Sequence, residues 1–222
     1  MDYKDPLFKR LSLDQQLLMD LHDSSDLIDV IALNGNEKLP PSEYEVTYYV
    51  RSISAIDQDR NPIYSEVHKA KITLPSGYPM INSPSCYMLT DTWHPNIRSK
   101  GNLKGHICIN AQVLGTWQTL DLLVEQIGEM LQYKNYHAEK TQPYPEDAEV
   151  ATWVLEYAEP QGIISKSKAT DDRPLRKPSE DWMQSRKKKS KISILNVKVK
   201  SAIKLNQPVQ AAKSNTIRIV KK

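Results

Sequence analysis

Phenylalanine is almost missing from this chain: Phe8 is the only one among 222 residues. Tyrosine and tryptophan, with eleven and four copies, must therefore supply the aromatic packing of any core. Glycine is scarce, at seven residues, and no internal repeat is visible. Cysteine is scarcer still. Cys86 and Cys108 are the only two, which excludes a disulfide framework. Two cysteines and five scattered histidines also give no zinc-site spacing, so no metal is expected. No apolar run reaches membrane length and no signal peptide is seen. The expectation is a soluble, cytoplasmic protein whose thiols stay reduced.

Charge is present but uneven. The formal net charge of +3 hides an acidic stretch of about −10 before residue 165 and a basic one of about +13 from there on. Apolar residues thin out at the same place. A core is affordable to about residue 160, and Ser165 to Ser190 reads as a linker. The expected organisation is one domain over residues 6–162 and a basic, flexible extension over 163–222. The run Arg186-Lys187-Lys188-Lys189 suits a solvated tail, an acidic partner, nucleic acid or a membrane surface. No aromatic residues interleave it to favour specific nucleic-acid recognition.

Hydrophobic periodicity predicts the elements. Leu7, Leu11, Leu17, Leu18 and Leu21 mark a first helix over Pro6–His22. Strands are expected at Leu27–Leu33, Tyr44–Ile53, Ser65–Leu74 and Ser85–Thr90. In the third of these, His68, Ala70, Ile72 and Leu74 share one face. Asp91 to Gln118 has little periodicity and reads as a long functional loop. Thr119–Tyr133 is the clearest helix, capped by Thr119, with Leu122, Leu123, Ile127, Met130 and Leu131 as its buried stripe. A further helix opens at Pro145-Glu146-Asp147 and ends at Pro160 and Gly162. The fold class is α+β: an N-terminal helix, a four-stranded antiparallel meander, a long loop and C-terminal helices.

The long loop carries the chemistry. It holds His94-Pro95-Asn96, Gly105-His106-Ile107-Cys108 and Trp117. A cysteine sulfur can carry an acyl group, and an asparagine amide can hold the oxyanion formed when that group is attacked. Cys108 is the candidate nucleophile, since Cys86 sits inside a predicted strand and reads as core. Asn96 either donates to the oxyanion or fixes the neighbouring loop. His106, two residues before the sulfur, either lowers the thiol pKa as an imidazolium or faces solvent.

The order of elements, with Tyr78-Pro79, His94-Pro95-Asn96, Gly-x-Ile-Cys108, Trp117 and Pro143-Tyr144-Pro145-Glu146-Asp147, resembles the ubiquitin-conjugating enzyme family. The resemblance spans most of residues 6–160. It implies that Cys108 accepts ubiquitin or a ubiquitin-like modifier from an activating enzyme and passes it to a substrate lysine or a ligase. It implies no cofactor at this step, with ATP used by the activating enzyme. It assigns His94 and Pro95 to support of the active-site loop and Trp117 to packing beside it. Asp147, with Glu146 as alternate, would orient the incoming lysine; a helix N-terminal acid is the competing reading. Tyr78, Pro79 and Met80 could form a docking surface for a ligase or the activating enzyme. Three departures stand out: Arg98-Ser99-Lys100-Gly101-Asn102 is inserted between Asn96 and Cys108, the stretch after Tyr78-Pro79 is reduced in proline, and the connection Lys134 to Gln142 is expanded. They suggest a distant branch, one serving a ubiquitin-like modifier or a bacterial counterpart. A non-catalytic binding module of the same fold, or an unrelated cysteine hydrolase, are the competing functions.

Overall fold

The computed structural model describes residues 5–36, 38–109 and 118–177. Helix α1 (Pro6–Ser24) starts as its sequence dictates, with Pro6 in the first turn and the Asp5 carboxylate accepting the Leu7 N–H at 2.8 Å. It buries Leu11, Leu17, Leu18 and Leu21, together with Asp14, and packs on helix α2 (Leu120–Leu131) and strand β1 (Ile28–Ala32).

Four antiparallel strands form the main sheet in the order β1, β2 (Glu43–Tyr48), β5 (His68–Thr73), β6 (Ser85–Met88). Pairings such as Val46 with Ala70 and Ile72 with Cys86 place Tyr44, Val46, Tyr48, Ala70, Ile72 and Cys86 on one buried face. The alternation expected in β5 is present: His68, Ala70, Ile72 and Leu74 are buried. On the outer face Lys69 and Lys71 pair with Glu45 and Glu43 at 2.6 and 2.8 Å. Such exposed pairs, screened by solvent, add little to stability.

The expected single strand Tyr44–Ile53 is broken. It stops at Tyr48, and the chain re-forms as a separate two-stranded ribbon, β3 (Ser52–Ile56) with β4 (Pro62–Ser65). The backbone between them is bonded elsewhere. Tyr49 donates its N–H to Leu27, Arg51 donates its N–H to Asp171 at 3.0 Å, and the Tyr49 and Arg51 carbonyls accept from Arg173 and Thr170. A ladder cannot continue through groups already satisfied by another segment.

That segment corrects the expected domain boundary. The compact unit runs to Lys177, not to 162. Ile164 is fully buried in a second core with Tyr133, Trp153 and Val154. Leu175 is 6% exposed in the main core, against Gly128. Arg176 reaches Glu125 at 2.7 Å and Asp121 at 3.0 Å, both on α2. The local composition is polar, yet Lys166, Asp171, Arg173, Arg176 and Lys177 each find a partner in the domain. Residues 178–222, which hold most of the expected basic extension and the run Arg186-Lys187-Lys188-Lys189, lie outside the described residues. Leu175→Ala is expected to destabilise the domain by about 2–3 kcal/mol, as for a buried leucine. Urea unfolding measures it, and a value within 0.5 kcal/mol of wild type would contradict the packing.

Helix α2 differs from its expected form in two details. Leu122 is 46% exposed, and the buried side carries Leu120, Leu123, Val124, Ile127, Met130 and Leu131. Thr119 stands at the N-cap position but makes no side-chain capping bond, and its hydroxyl turns to Asp121. The cap is supplied from α1, where Asp14 Oδ1 accepts the Leu120 N–H at 3.1 Å. Helix α3 (Ala148–Trp153) continues as a wider π-helical turn over Val154–Ala158. Among the described residues no helix is long and apolar enough to cross a membrane.

Candidate functional site

Two short segments meet in an antiparallel ribbon. Ile97 bridges Ile107, the Cys108 N–H donates to the Asn96 carbonyl at 2.9 Å, and the Arg98 N–H donates to the His106 carbonyl at 2.9 Å. The register sets Asn96 opposite Cys108 and Arg98 opposite His106. Ile97 and Ile107 are 1% and 3% exposed and point into the core. Strand alternation then turns Asn96, Cys108, Arg98 and His106 to the outer face together.

The insertion therefore does not separate Asn96 from the sulfur. It is a closed hairpin, with the Gly105 N–H donating to the Arg98 carbonyl at 2.8 Å and Lys104 to Gly101 at 3.1 Å. Gly105 is required where it stands: at φ +87°, an added Cβ would lie 2.4 Å from the Met88 carbonyl oxygen.

Asn96 and Cys108 open onto a groove of about 220 Å³, whose other walls include Met130, Tyr136, Pro143 and Tyr144. Asn96 Oδ1 accepts the His137 N–H at 3.0 Å, which fixes the amide plane. Its Nδ2 makes no hydrogen bond among the described residues. The two readings of Asn96 are thus compatible: one end of the amide holds the loop after α2, and the other remains a donor. The Cys108 thiol is free and half-buried. Burial raises its pKa, and the Glu146 charge pushes it the same way. Of the two readings of His106, a lowering of the thiol pKa is not among the causes acting on Cys108, and the ring turns to Glu146 (Nδ1 to Oε1, 3.2 Å) and stands edge-on to Tyr87.

His94 is fully buried, and burial pushes its pKa down to about 3, so it is neutral. Its Nδ1 accepts the Asn96 N–H at 3.1 Å and its ring meets Tyr133 edge-on. It fixes the backbone of Asn96 and has no path to a reacting proton. Pro95 contributes its carbonyl, which accepts the Asp147 N–H at 2.9 Å.

Asp147 is not where a lysine-orienting acid must be. It is 3% exposed, and its carboxylate is fully engaged. Oδ1 accepts the Glu149 and Val150 N–H groups at 3.1 Å each, capping α3. Oδ2 accepts the Ser99 N–H at 2.9 Å and the Ser99 hydroxyl at 2.7 Å. These bonds hold its pKa below the usual carboxylate value against the opposing effect of burial. The competing reading, a helix N-terminal acid, describes it, and it also ties the inserted hairpin to α3.

Tyr78 likewise turns inward. It is 5% exposed, and its hydroxyl donates to Asp14 Oδ2 at 2.8 Å while accepting from Arg10 at 2.8 Å. The exposed apolar surface expected there comes from Met80 and Ile81, at 75% and 83% exposure. Pro79 is intermediate between them. Trp117 lies outside the described residues. Cys86 is 1% exposed, with its thiol pushed up to about 12 by burial, as befits a core cysteine.

Residues 47–153, which contain β3 to β6, the Asn96–Cys108 ribbon, α2 and α3, match the family model described as ubiquitin-conjugating enzyme. Residues 47–153 thus belong with the ubiquitin-conjugating enzyme family. Among solved structures, this ubiquitin-conjugating domain is similar to the E2 domain of a ubiquitin conjugating enzyme from Toxoplasma gondii. That match has 21% identity and a TM-score of 0.44, covering 68% of this chain and 91% of the other. A provisionally assigned ubiquitin conjugating enzyme from Trypanosoma cruzi matches at 14% identity and a TM-score of 0.48, covering 73% and 96%. Among curated proteins nothing matches the chain.

Sequence reasoning missed Asp14, although it is the one carboxylate on the leucine stripe of α1. That interruption was the available signal. It also missed the pairing of Arg98 and His106 with Glu146, which no spacing reveals because the hairpin had no recognised register.

Proposed function

We propose that the domain accepts the C-terminal acyl group of ubiquitin or a ubiquitin-like modifier from an activating enzyme, holds it as a thioester on Cys108, and passes it to a lysine amine or a ligase. The observation that carries this reading is the placement of Asn96 opposite Cys108 on the open face of one ribbon, with the Asn96 Nδ2 donor uncommitted. In the exchange step the incoming thiolate of Cys108 forms the new C–S bond as the activating enzyme's C–S bond breaks. The thiolate displaced there balances the one consumed, so no cofactor is needed in this domain. The Asn96 amide is suited to bear the oxyanion between these states.

A cysteine hydrolase would pair its thiol with a histidine base. Here no histidine nitrogen is hydrogen-bonded to the Cys108 thiol among the described residues, His106 stands edge-on to Tyr87, and His94 is buried and neutral, which weighs against that reading. A binding module would not need the Cys108–Asn96 pairing at all.

The test is charging. The full chain, incubated with an activating enzyme, ATP and a modifier, is expected to give an adduct on non-reducing gels that disappears with thiol treatment and is absent in Cys108→Ala. A thiol-resistant product, or an adduct retained in Cys108→Ala, would overturn the proposal. Burial of Cys86 excludes it as the alternative attachment point.

A further inference from the structure

The amide of Asn96 is held by a peptide plane that is itself held from outside the family-matched stretch. Asn96 Oδ1 accepts the His137 N–H at 3.0 Å. That N–H belongs to the peptide joining Tyr136 to His137, and the carbonyl of the same peptide accepts from Lys166 Nζ at 2.7 Å. The peptide bond does not rotate, so one rigid unit carries Asn96 on its N–H and Lys166 on its oxygen. A cation on the carbonyl also polarises the N–H and strengthens the bond it donates. Lys166 lies beyond residues 47–153, in a turn closed by Ser165 and Lys168, whose backbones exchange two bonds at 3.0 Å. Ile164, fully buried in the second core, anchors that turn. The Lys166 side chain is 57% exposed, yet three groups fix its ammonium. Besides the carbonyl, it sits 4.0 Å from the Tyr136 ring centroid and 3.4 Å from Glu139 Oε1. Glu139 returns to the same loop, where its Oε2 accepts the Ala138 N–H at 3.0 Å and lies 3.0 Å from His137 Nδ1. The backbone of Asn96 is reached as well. Its N–H donates to His94 Nδ1 at 3.1 Å. Burial is the main cause that keeps His94 neutral, and the Lys166 charge acts in the same direction.

We propose that Lys166 is a positioning residue for Asn96: by fixing the Tyr136–His137 peptide plane, it sets the orientation in which the Asn96 amide meets the groove beside Cys108. The inference rests on the thioester reading above and adds to it an element outside the family match. Without the ammonium, the peptide rocks about its flanking φ and ψ bonds and the amide follows it. The donor then spends less time where the oxyanion forms, and the rate of attack on the thioester falls. Among the described residues that line the groove, Lys166 is absent, so binding of an acceptor amine does not depend on it. The signature of this role is a loss of maximal rate that vanishes when Asn96 is replaced.

The experiment follows discharge of the pre-charged full chain onto free lysine over a range of lysine concentrations. It compares wild type with Lys166→Met, Lys166→Arg, Asn96→Ala and the double variant Asn96→Ala/Lys166→Met. Methionine keeps the packing of the aliphatic stem and removes the charge. Lys166→Met is expected to lower the maximal rate by about 5-fold, a modest loss in keeping with an ammonium open to solvent, and to leave the lysine KM unchanged. Lys166→Arg should stay within twofold of wild type, since a guanidinium can stack on Tyr136 and reach the same carbonyl. In the Asn96→Ala background, Lys166→Met should lower the rate no further. A maximal rate within twofold of wild type in Lys166→Met overturns the proposal, as does an equal loss in the Asn96→Ala background, which would assign the effect to another group. Amide hydrogen exchange of the uncharged protein, followed by NMR, supplies an arm independent of charging. The His137 N–H should exchange about 5-fold faster in Lys166→Met than in wild type, and an unchanged rate overturns the proposal. If the wild-type protein cannot be charged, the thioester reading fails, and the exchange result still decides whether Lys166 holds the peptide.

Discussion

Replacing Asp14 by alanine is expected to destabilise the domain by about 3–5 kcal/mol, the range for removing one partner of a buried charged network. Asp14 is fully buried on α1. Its Oδ2 lies 2.7 Å from Arg10 Nε and accepts the Tyr78 hydroxyl at 2.8 Å, and its Oδ1 accepts the Leu120 N–H at 3.1 Å. One carboxylate thus joins α1, the Tyr78-Pro79 turn and the first turn of α2. Alanine removes an acceptor from a guanidinium, a hydroxyl and a helix N-terminus, and water has no ready path to replace it. Arg10 is 15% exposed at its side chain, so solvent screening reduces the effect little. For a domain of this size the loss corresponds to a fall in Tm of roughly 10 °C. Differential scanning calorimetry measures it. Asp23→Ala, at an exposed position of the same helix, should change stability by less than about 0.5 kcal/mol. A loss under 1 kcal/mol in Asp14→Ala would show that the network is not a fastening point.

Substitution at Asn96 separates holding from chemistry. Asn96→Ala removes both the Oδ1 acceptor of the His137 N–H and the Nδ2 donor. Discharge of the charged protein is expected to fall by about 10²–10³-fold, the usual cost of an oxyanion donor. Thermal stability should fall too, because the His137 N–H loses its partner, by about 1–3 kcal/mol. Asn96→Asp is the informative comparison. It keeps an acceptor for His137 but removes the donor, so stability should stay closer to wild type while discharge remains as low as in Asn96→Ala or lower. Recovery of discharge in Asn96→Asp would assign Asn96 wholly to fixing the loop.

Much of the fold was legible because its signals are local. The leucine spacing of α1, the period of two in β5 and the apolar stripe of α2 each follow from one element burying one face. The errors cluster where a side chain serves a distant segment. Thr119 has the residue type of a helix cap, but Asp14 takes the position because α1 packs across the end of α2. Tyr44–Ile53 reads as one strand, but Asp171 and Arg173 capture the backbone at Tyr49 and Arg51. Those two residues sit in a stretch whose composition suggests a linker. Polar residues signal a linker only when nothing fixed awaits them, and the sequence does not show what awaits them.

The site divides in the same way. The sequence by itself singled out the candidate sulfur: with two cysteines, one inside a strand pattern, it left Cys108, with Asn96 as its candidate donor. Its length and order also implied the family of the domain. The tertiary structure alone decided which of two adjacent acids is engaged on both oxygens. Glu146 and Asp147 are adjacent and alike in charge, so nothing local distinguishes them. The cap of α3 and Ser99 use every lone pair of Asp147, whereas Arg98 and His106 occupy one oxygen of Glu146 and leave the other open. That difference arises from the register of a hairpin against a helix, a relation between segments far apart in the chain. Residue identity fixes what a carboxylate can do, and packing fixes which of its oxygens remains able to do it.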